Sequence, residues 1–301
     1  MNFHNIFNFN IVNTETIKAK WLVDKTVALD ILRLDNIHSE VSGNKWFKLK
    51  YYLQNAAALH KTTVATFGGA WSNHIAAVAF ACKESALKSV GIIRGEQPGV
   101  LSETLKKAAE CGMELYFVSR EEYKKKELII QKFRDKNWYW VDEGGYGLLG
   151  AKGASEILNT IDISNYSHIV AAVGTGTMLA GLLLSAGKQK MLGISCMKGN
   201  LSLEKEIFRL MAGQKHEAQF QIIHDYHFGG YAKYPKRLID FINEIYSEHR
   251  LPLDIVYTGK TFYAIKDLTE KDFFEPGSRL LMIHSGGLQG NRSLPAEVLQ
   301  F

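Results

Sequence analysis

Three glycine-marked turns, far apart in the chain, carry the residue types from which a reaction could be built. Gly43-Asn44-Lys45-Trp46-Phe47-Lys48-Leu49 offers a lysine on a helix entry, and Gly68-Gly69-Ala70-Trp71-Ser72-Asn73-His74 offers hydroxyl and amide donors at a helix start. Gly174-Thr175-Gly176-Thr177 offers a run of backbone N–H groups suited to a phosphate. A lysine amine condenses with a carbonyl compound as a Schiff base. Beside a phosphate cradle, that chemistry points to pyridoxal phosphate.

Taken singly, each segment admits a plainer role. Lys48 must be held near a cofactor and kept neutral part of the time to act, yet most lysines are simply exposed, and Lys45 and Lys50 are rivals for the same task. Ser72, Asn73 and His74 would bind a carboxylate at the positive end of a helix or merely cap it, since both roles use the same donors. Gly174–Thr177 lacks the lysine of a P-loop and the spacing of the dinucleotide fingerprint, so a tight strand-to-helix turn is its alternative. Tyr257-Thr258-Gly259-Lys260 and His284-Ser285-Gly286-Gly287 bring phenol and hydroxyl groups near the ends of late sheet segments, where core or turn roles are equally open.

The elements that must position these residues alternate in an α/β rhythm. Apolar runs at 64–67, 90–93 and 115–118 are each followed by a helical pattern, at 75–83, 101–110 and 121–134. The rhythm resumes with strands at 169–173, 192–196, 220–223 and 279–284, and helices at 178–186, 203–211 and 235–248. Two sets of units, interrupted near Gly144-Gly145-Tyr146-Gly147, predict two open, mainly parallel sheets flanked by helices. The candidate turns fall after the carboxyl ends of strands, where such sheets collect ligands.

The remaining composition narrows the function classes. With 301 residues, 46% hydrophobic and 22% charged, the chain has no compositional basis for disorder. A formal charge of +5 is mild, and Lys124-Lys125-Lys126 lies among glutamates as a solvated face rather than a nucleic-acid patch. Cys82, Cys111 and Cys196 show no paired spacing, which argues against a disulfide framework or a cysteine-based metal site. Without a signal-like start or a long apolar run, a cytoplasmic protein with no membrane partner and no metal is expected.

In their order along the chain these segments resemble the pyridoxal-phosphate enzymes that include 1-aminocyclopropane-1-carboxylate deaminase and D-cysteine desulfhydrase, within the tryptophan-synthase-β-like fold. The anchors are the three turns above, Ala180-Gly181, Val256–Lys260, and Pro276-Gly277-Ser278-Arg279 leading into His284–Gly287. The resemblance implies a homodimer whose larger, cofactor-binding domain spans 1–53 and 148–301, with a smaller domain at 54–147 and the cofactor between them. It implies that Lys48 bears the cofactor and moves protons at the substrate carbon, with Lys45 a neighbour. Asn73 would contact the ring hydroxyl, and the backbone of Gly174, Thr175, Gly176 and Thr177 would hold the phosphate. Ser72 and His74 would hold a small amino-acid substrate beside Trp71, with Tyr257 and Tyr231 on its face.

Relatives that resemble the cyclopropane deaminase carry a glutamate after the tyrosine corresponding to Tyr257 and a leucine between the residues corresponding to His284 and Gly286. This chain has Thr258 and Ser285. A carboxylate near the ring nitrogen favours its protonation and a stronger electron sink, whereas a hydroxyl can serve a neutral nitrogen. The expected reaction is therefore α,β-elimination from D-cysteine or a related β-substituted D-amino acid. Alternatives are 1-aminocyclopropane-1-carboxylate deamination, a serine racemase or dehydratase, and a non-catalytic phosphate or nucleotide binder. Trp71, Trp46-Phe47, Ala76 and Ala232 depart from the family's usual residues, and bulk at Trp71 is expected to reshape the pocket.

Overall fold

The computed structural model describes residues 12–38, 41, 43–214 and 216–301. Ten strands form two sheets: β1 Thr14–Ile17, β2 Ala28–Arg33, β3 Thr63–Gly68, β4 Lys88–Arg94, β5 Met113–Val118, β6 Tyr139–Val141, β7 His168–Val173, β8 Lys190–Ser195, β9 Phe220–Ile223 and β10 Arg279–His284. The six-stranded sheet has the order β1-β2-β10-β7-β8-β9 and the four-stranded sheet β5-β4-β3-β6. Every pairing is parallel except β1 with β2 at one edge.

Central strands read as unbroken apolar runs because helices cover both of their faces. Leu280–Ile283 of β10 and Ile169–Val173 of β7 are buried along their length, and Leu281 pairs with both Asp30 and Ile169. Sequence reading did not single out β1, β2 or β6. These lie at or near sheet edges, or are only three residues long, and carry weaker patterns.

Two expectations are corrected. The helix expected at 121–134 breaks at Lys125, which is non-helical, giving Arg120–Tyr123 and Lys126–Lys132. Ser119 and Glu122 form a reciprocal capping box that fixes the first of these. Tyr257 and Thr258 do not follow a strand. They open a 13-residue helix, Thr258–Glu270, and the apolar 251–256 run before it is a buried irregular segment.

The helices that follow the first and third candidate turns both meet a third helix through glycine. A Cβ on Gly153, in the helix Leu148–Ala154, would lie 1.9 Å from the carbonyl oxygen of Phe47 in the helix Asn44–Ala58. On the other side, a Cβ on Gly181, in the helix Thr177–Ser185, would lie 2.4 Å from the carbonyl oxygen of Ala151. Backbones in direct contact leave no side-chain layer to vary. The seam therefore sets the separation between the helix bearing Lys48 and the helix that opens at Gly176.

Candidate active site

One cavity gathers most of the predicted residues: Lys48, Asn73, Gly174, Thr175, Gly176, Tyr257 and Ser285 all line it. Asn44, Lys45, Gly144, Met178, Leu179, Gly286 and Gly287 complete much of the wall. Its floor is made by strand ends, as open parallel sheets dictate.

Lys48 sits in the second turn of its helix and is 4% exposed. Its Nζ lies 3.5 Å from the carbonyl oxygen of Gly144, and Lys45 Nζ donates to the same oxygen at 3.1 Å. Burial, reinforced by the charge of Lys45, holds the Lys48 amine well below the usual lysine range. Burial also lowers Lys45, to about 8, with Glu143 opposing. Both shifts favour the neutral, nucleophilic amine. Gly144 and Gly145, with φ of +74° and +70°, make the turn that covers it, and a Cβ on Gly145 would lie 3.3 Å from Lys48 Cβ. The sequence showed this glycine run only as an interruption between strand sets.

At the other end, β7 runs into Gly174 and Gly176, the latter left-handed at φ +81°, before the helix Thr177–Ser185. Gly174 packs against a phenol, since a Cβ there would stand 3.4 Å from Tyr257 Cε1. Thr177 is buried outside the cavity, with its hydroxyl 3.0 Å from that of Thr175. The first N–H groups of a helix have no partner within it, so this helix start suits a phosphate.

Asn73 donates from Nδ2 to the carbonyl oxygen of Gly287 at 3.1 Å, which fixes the amide orientation. Its Oδ1 is buried in the cavity wall without a partner. Such an orphaned acceptor suits the hydroxyl of a ligand ring. Together with the lysine and the helix start, it makes these residues fit pyridoxal phosphate.

Ser285 is held by its neighbours. The Asn44 N–H donates to its carbonyl oxygen at 3.1 Å, and His284 Nε2 bonds the Pro252 carbonyl at 2.8 Å while its Nδ1 lies 3.1 Å from Asp35. Gly43, at φ +77°, is required here because a Cβ would fall 1.9 Å from the Ser285 oxygen.

Other predicted residues lie behind or beside the cavity. The Ser72 hydroxyl caps its helix by accepting from the Ile75 N–H at 3.3 Å. Trp71 is 39% exposed and contributes nothing to the wall, so its bulk does not shrink the cavity. Trp46 and Phe47 are core residues of their helix. His74 is buried, its Nε2 2.9 Å from the Thr66 hydroxyl, which itself donates to Val141 O at 2.7 Å. The proton therefore sits on Nε2. Burial, then the charges of Lys45, Lys48 and Lys126, holds the imidazole well below its ordinary range, so it is neutral.

Thr258 is fully buried and turned away from the cavity. Its hydroxyl donates to Asp254 Oδ2 at 2.6 Å, and the same carboxylate accepts from the N–H groups of Val256, Tyr257 and Thr258 at 2.7–2.8 Å. The expected hydrogen bond from Thr258 to a ligand would have to break this cap. Asp254 is not among the sequence expectations, because it lies three residues before the N-cap, Tyr257, outside the position where an acidic residue signals a helix start. Tyr257 lines the cavity, and burial beside Tyr231 pushes its phenol well above the ordinary range, so it stays protonated. Tyr231 meets it edge-on, with ring centroids 6.3 Å apart.

Two parallel sheets, a desolvated lysine and a glycine-threonine helix start define a lysine-dependent, phosphate-anchored cofactor enzyme. A family model described as pyridoxal-phosphate dependent enzyme matches residues 8–286, and the chain belongs to that family. It is 32% identical over 273 residues to a Thermotoga maritima protein named "Putative 1-aminocyclopropane-1-carboxylate deaminase", covering 83% of this chain and 85% of the relative. It is 29% identical over 290 residues to the mitochondrial bifunctional D-cysteine desulfhydrase/1-aminocyclopropane-1-carboxylate deaminase of Arabidopsis thaliana, covering 86% and 72% of the two chains. Among solved structures, an ACC deaminase homologue superposes with a TM-score of 0.79 at 26% identity, over 93% of this chain and 90% of that one. The chain is thus similar to pyridoxal-phosphate-dependent lyases and deaminases of small amino acids.

Proposed function

We propose that this enzyme carries out α,β-elimination on D-cysteine or a closely related β-substituted D-amino acid, releasing a keto acid and ammonia. The observation that carries this reading is the absence of any carboxylate among the described residues lining the cavity, with Ser285 supplying a hydroxyl at the end of β10. Asp254, the buried carboxylate behind the wall, is saturated by four donors. Such a lining favours a neutral ring nitrogen. That suffices to remove an activated α-proton, whereas opening a cyclopropane without an α-proton calls for a stronger sink.

When bound, pyridoxal phosphate supplies a carbonyl for amines and a conjugated ring that stabilises negative charge at the substrate α-carbon. The N–H groups at Gly174–Thr177 would hold its phosphate, Asn73 Oδ1 would accept from its ring hydroxyl, and the Ser285 hydroxyl would serve its ring nitrogen. Lys48, whose neutral form burial favours, is the base that takes the α-proton. The protonated Tyr257 phenol donates to the departing sulfur. Ser72 and the start of the helix Asn73–Glu84 bind the substrate carboxylate, beside Trp71, His74 and Tyr231, in a cleft between the 54–147 lobe and the rest of the chain. For D-cysteine plus water the products are pyruvate, sulfide and ammonia.

The names of the relatives favour a second reading, 1-aminocyclopropane-1-carboxylate deamination to 2-oxobutanoate and ammonia. Both reactions are assayed on one preparation loaded with pyridoxal phosphate. Equal release of pyruvate, sulfide and ammonia from D-cysteine is expected, with little 2-oxobutanoate from the cyclopropane. Failure to release any of the three from saturating D-cysteine overturns the elimination reading.

A further inference from the structure

The segment that presents Tyr231 adopts a backbone that its own sequence disfavours. Four of the five residues 228–232 have positive φ: Phe228 at 53°, Gly229 at 96°, Gly230 at 126° and Ala232 at 53°. Glycine takes such angles freely, but Phe228 and Ala232 are strained by their Cβ atoms. A loop of this kind persists only when something outside it fixes its shape.

That support comes from the helix carrying Tyr257. Lys260, one turn along, is fully buried, and its ammonium donates to the carbonyl oxygens of His227 at 3.0 Å and Gly230 at 2.8 Å. These two carbonyls bracket the left-handed stretch, immediately before Phe228 and immediately before Tyr231. Each also accepts a backbone bond within the loop, from the Gly230 N–H at 3.0 Å and the Lys233 N–H at 3.2 Å. A buried cation without these partners would be unfavourable, so lysine and loop order each other. Tyr231, half exposed, then stands edge-on to partly buried Tyr257. Tyr257 and Lys260 share one helical turn, so a single helix start sets both phenols.

We infer that Lys260 is a positioning residue for the substrate side of the site, clamping residues 227–231 so that Tyr231 is held beside Tyr257. This rests on the reading of the two phenols as substrate-facing groups. Lys260 touches neither cofactor nor substrate and acts only through the loop.

The test uses the pyridoxal-phosphate-loaded enzyme and the variants Lys260→Met, Tyr231→Ala and their combination. Lys260→Gln, which retains an N–H donor, extends the series and carries the same cycle should the methionine variant fold poorly. Lys260→Met is expected to speed amide hydrogen exchange selectively in peptides covering 227–233 while leaving the absorption of the bound cofactor unchanged. With D-cysteine it should lower kcat/KM by ~10- to 100-fold, the scale of a misplaced substrate contact, with the glutamine variant intermediate. In the Tyr231→Ala background the same change should have almost no further effect. Full additivity of the two substitutions overturns the inference, as does unchanged exchange in 227–233. The exchange measurement needs no substrate, so inactivity of the wild type toward D-cysteine would count against the proposed reaction while leaving the clamp tested.

Discussion

Lys45 and Lys48 share a single acceptor, the carbonyl oxygen of Gly144, at 3.1 and 3.5 Å. Two ammonium groups converging on one oxygen in a desolvated site repel each other, and the deeper amine yields its proton. Removing the charge of Lys45 therefore raises the Lys48 pKa, so less neutral amine is present at a given pH. Lys45→Met should shift the acid limb of pyridoxal-phosphate capture by the apoprotein toward higher pH. Because Lys45 itself titrates at about 8, wild type and variant should converge in more alkaline buffer. Stopped-flow capture rates against pH check both the direction and the convergence.

The same pair has a consequence for stability. A lysine with a folded pKa of about 8 binds fewer protons than its unfolded counterpart, so its burial weakens the fold below that pH. The penalty is relieved between about 8 and the ordinary lysine value of 10.5. Lys45→Met should raise apoprotein stability at pH 7 by on the order of 1 kcal/mol, and the gain should fade near pH 10. Urea titrations at the two pH values decide it.

On the proposed reading, Lys48→Ala removes both the amine that bonds the cofactor and the base. Turnover should fall by at least ~10³-fold, within the range for losing a positioned base. The long-wavelength absorption of lysine-linked cofactor should vanish, while the phosphate turn and Asn73 still bind pyridoxal phosphate noncovalently. If turnover and absorption both survive, Lys48 is not the reacting lysine, and Lys45 is next in line.

Gly43→Ala tests the coupling between the first turn and the end of β10. The added Cβ would fall 1.9 Å from the Ser285 oxygen at a left-handed φ, so the backbone must shift. A loss of ~3 kcal/mol in urea is expected, combining strain with overpacking. The cofactor spectrum of the loaded protein should change as well, since Ser285 moves with the contact.

Asp254→Asn reverses half of a four-donor cap, because an amide nitrogen would face N–H groups that now meet a carboxylate oxygen. Hydrogen bonds to a charged group are worth about 1.5–3 kcal/mol each but are not additive here, so a loss of ~3 kcal/mol is expected by denaturation. Thr258→Val removes one of the four donors and also the hydroxyl that accepts from the Asp254 N–H at 2.8 Å, but it leaves the three N–H donors in place, so a smaller loss is expected.

The sheets were legible because central parallel strands are apolar throughout, and the strand-to-helix turn proposed for the phosphate because Gly174–Thr177 lies between a clear strand and a clear helix. Lys48 and Asn73 were legible through ordered motifs rather than local pattern, since a lysine in a helix looks the same buried or exposed. Gly144 and Gly145 were hidden, because a glycine run marks a turn without saying what it covers. Thr258 misled for a related reason: a hydroxyl next to a site tyrosine reads as a ligand until its partner Asp254 is known. Ala232, noted only as a departure from the family, turns out to occupy a left-handed angle at φ 53°.

The glycine seam of Gly153 and Gly181 bears on how this enzyme can change its preferences. Backbone contact on both sides of the helix Leu148–Ala154 makes the lysine helix and the phosphate helix one rigid gauge, with no repacking available between them. Substitutions that retune substrate choice are thus confined to parts hung from that gauge, such as the turns at 71–74 and 227–232. A deep mutational scan should therefore find the seam as intolerant as the reacting lysine itself, though no seam residue touches a substrate.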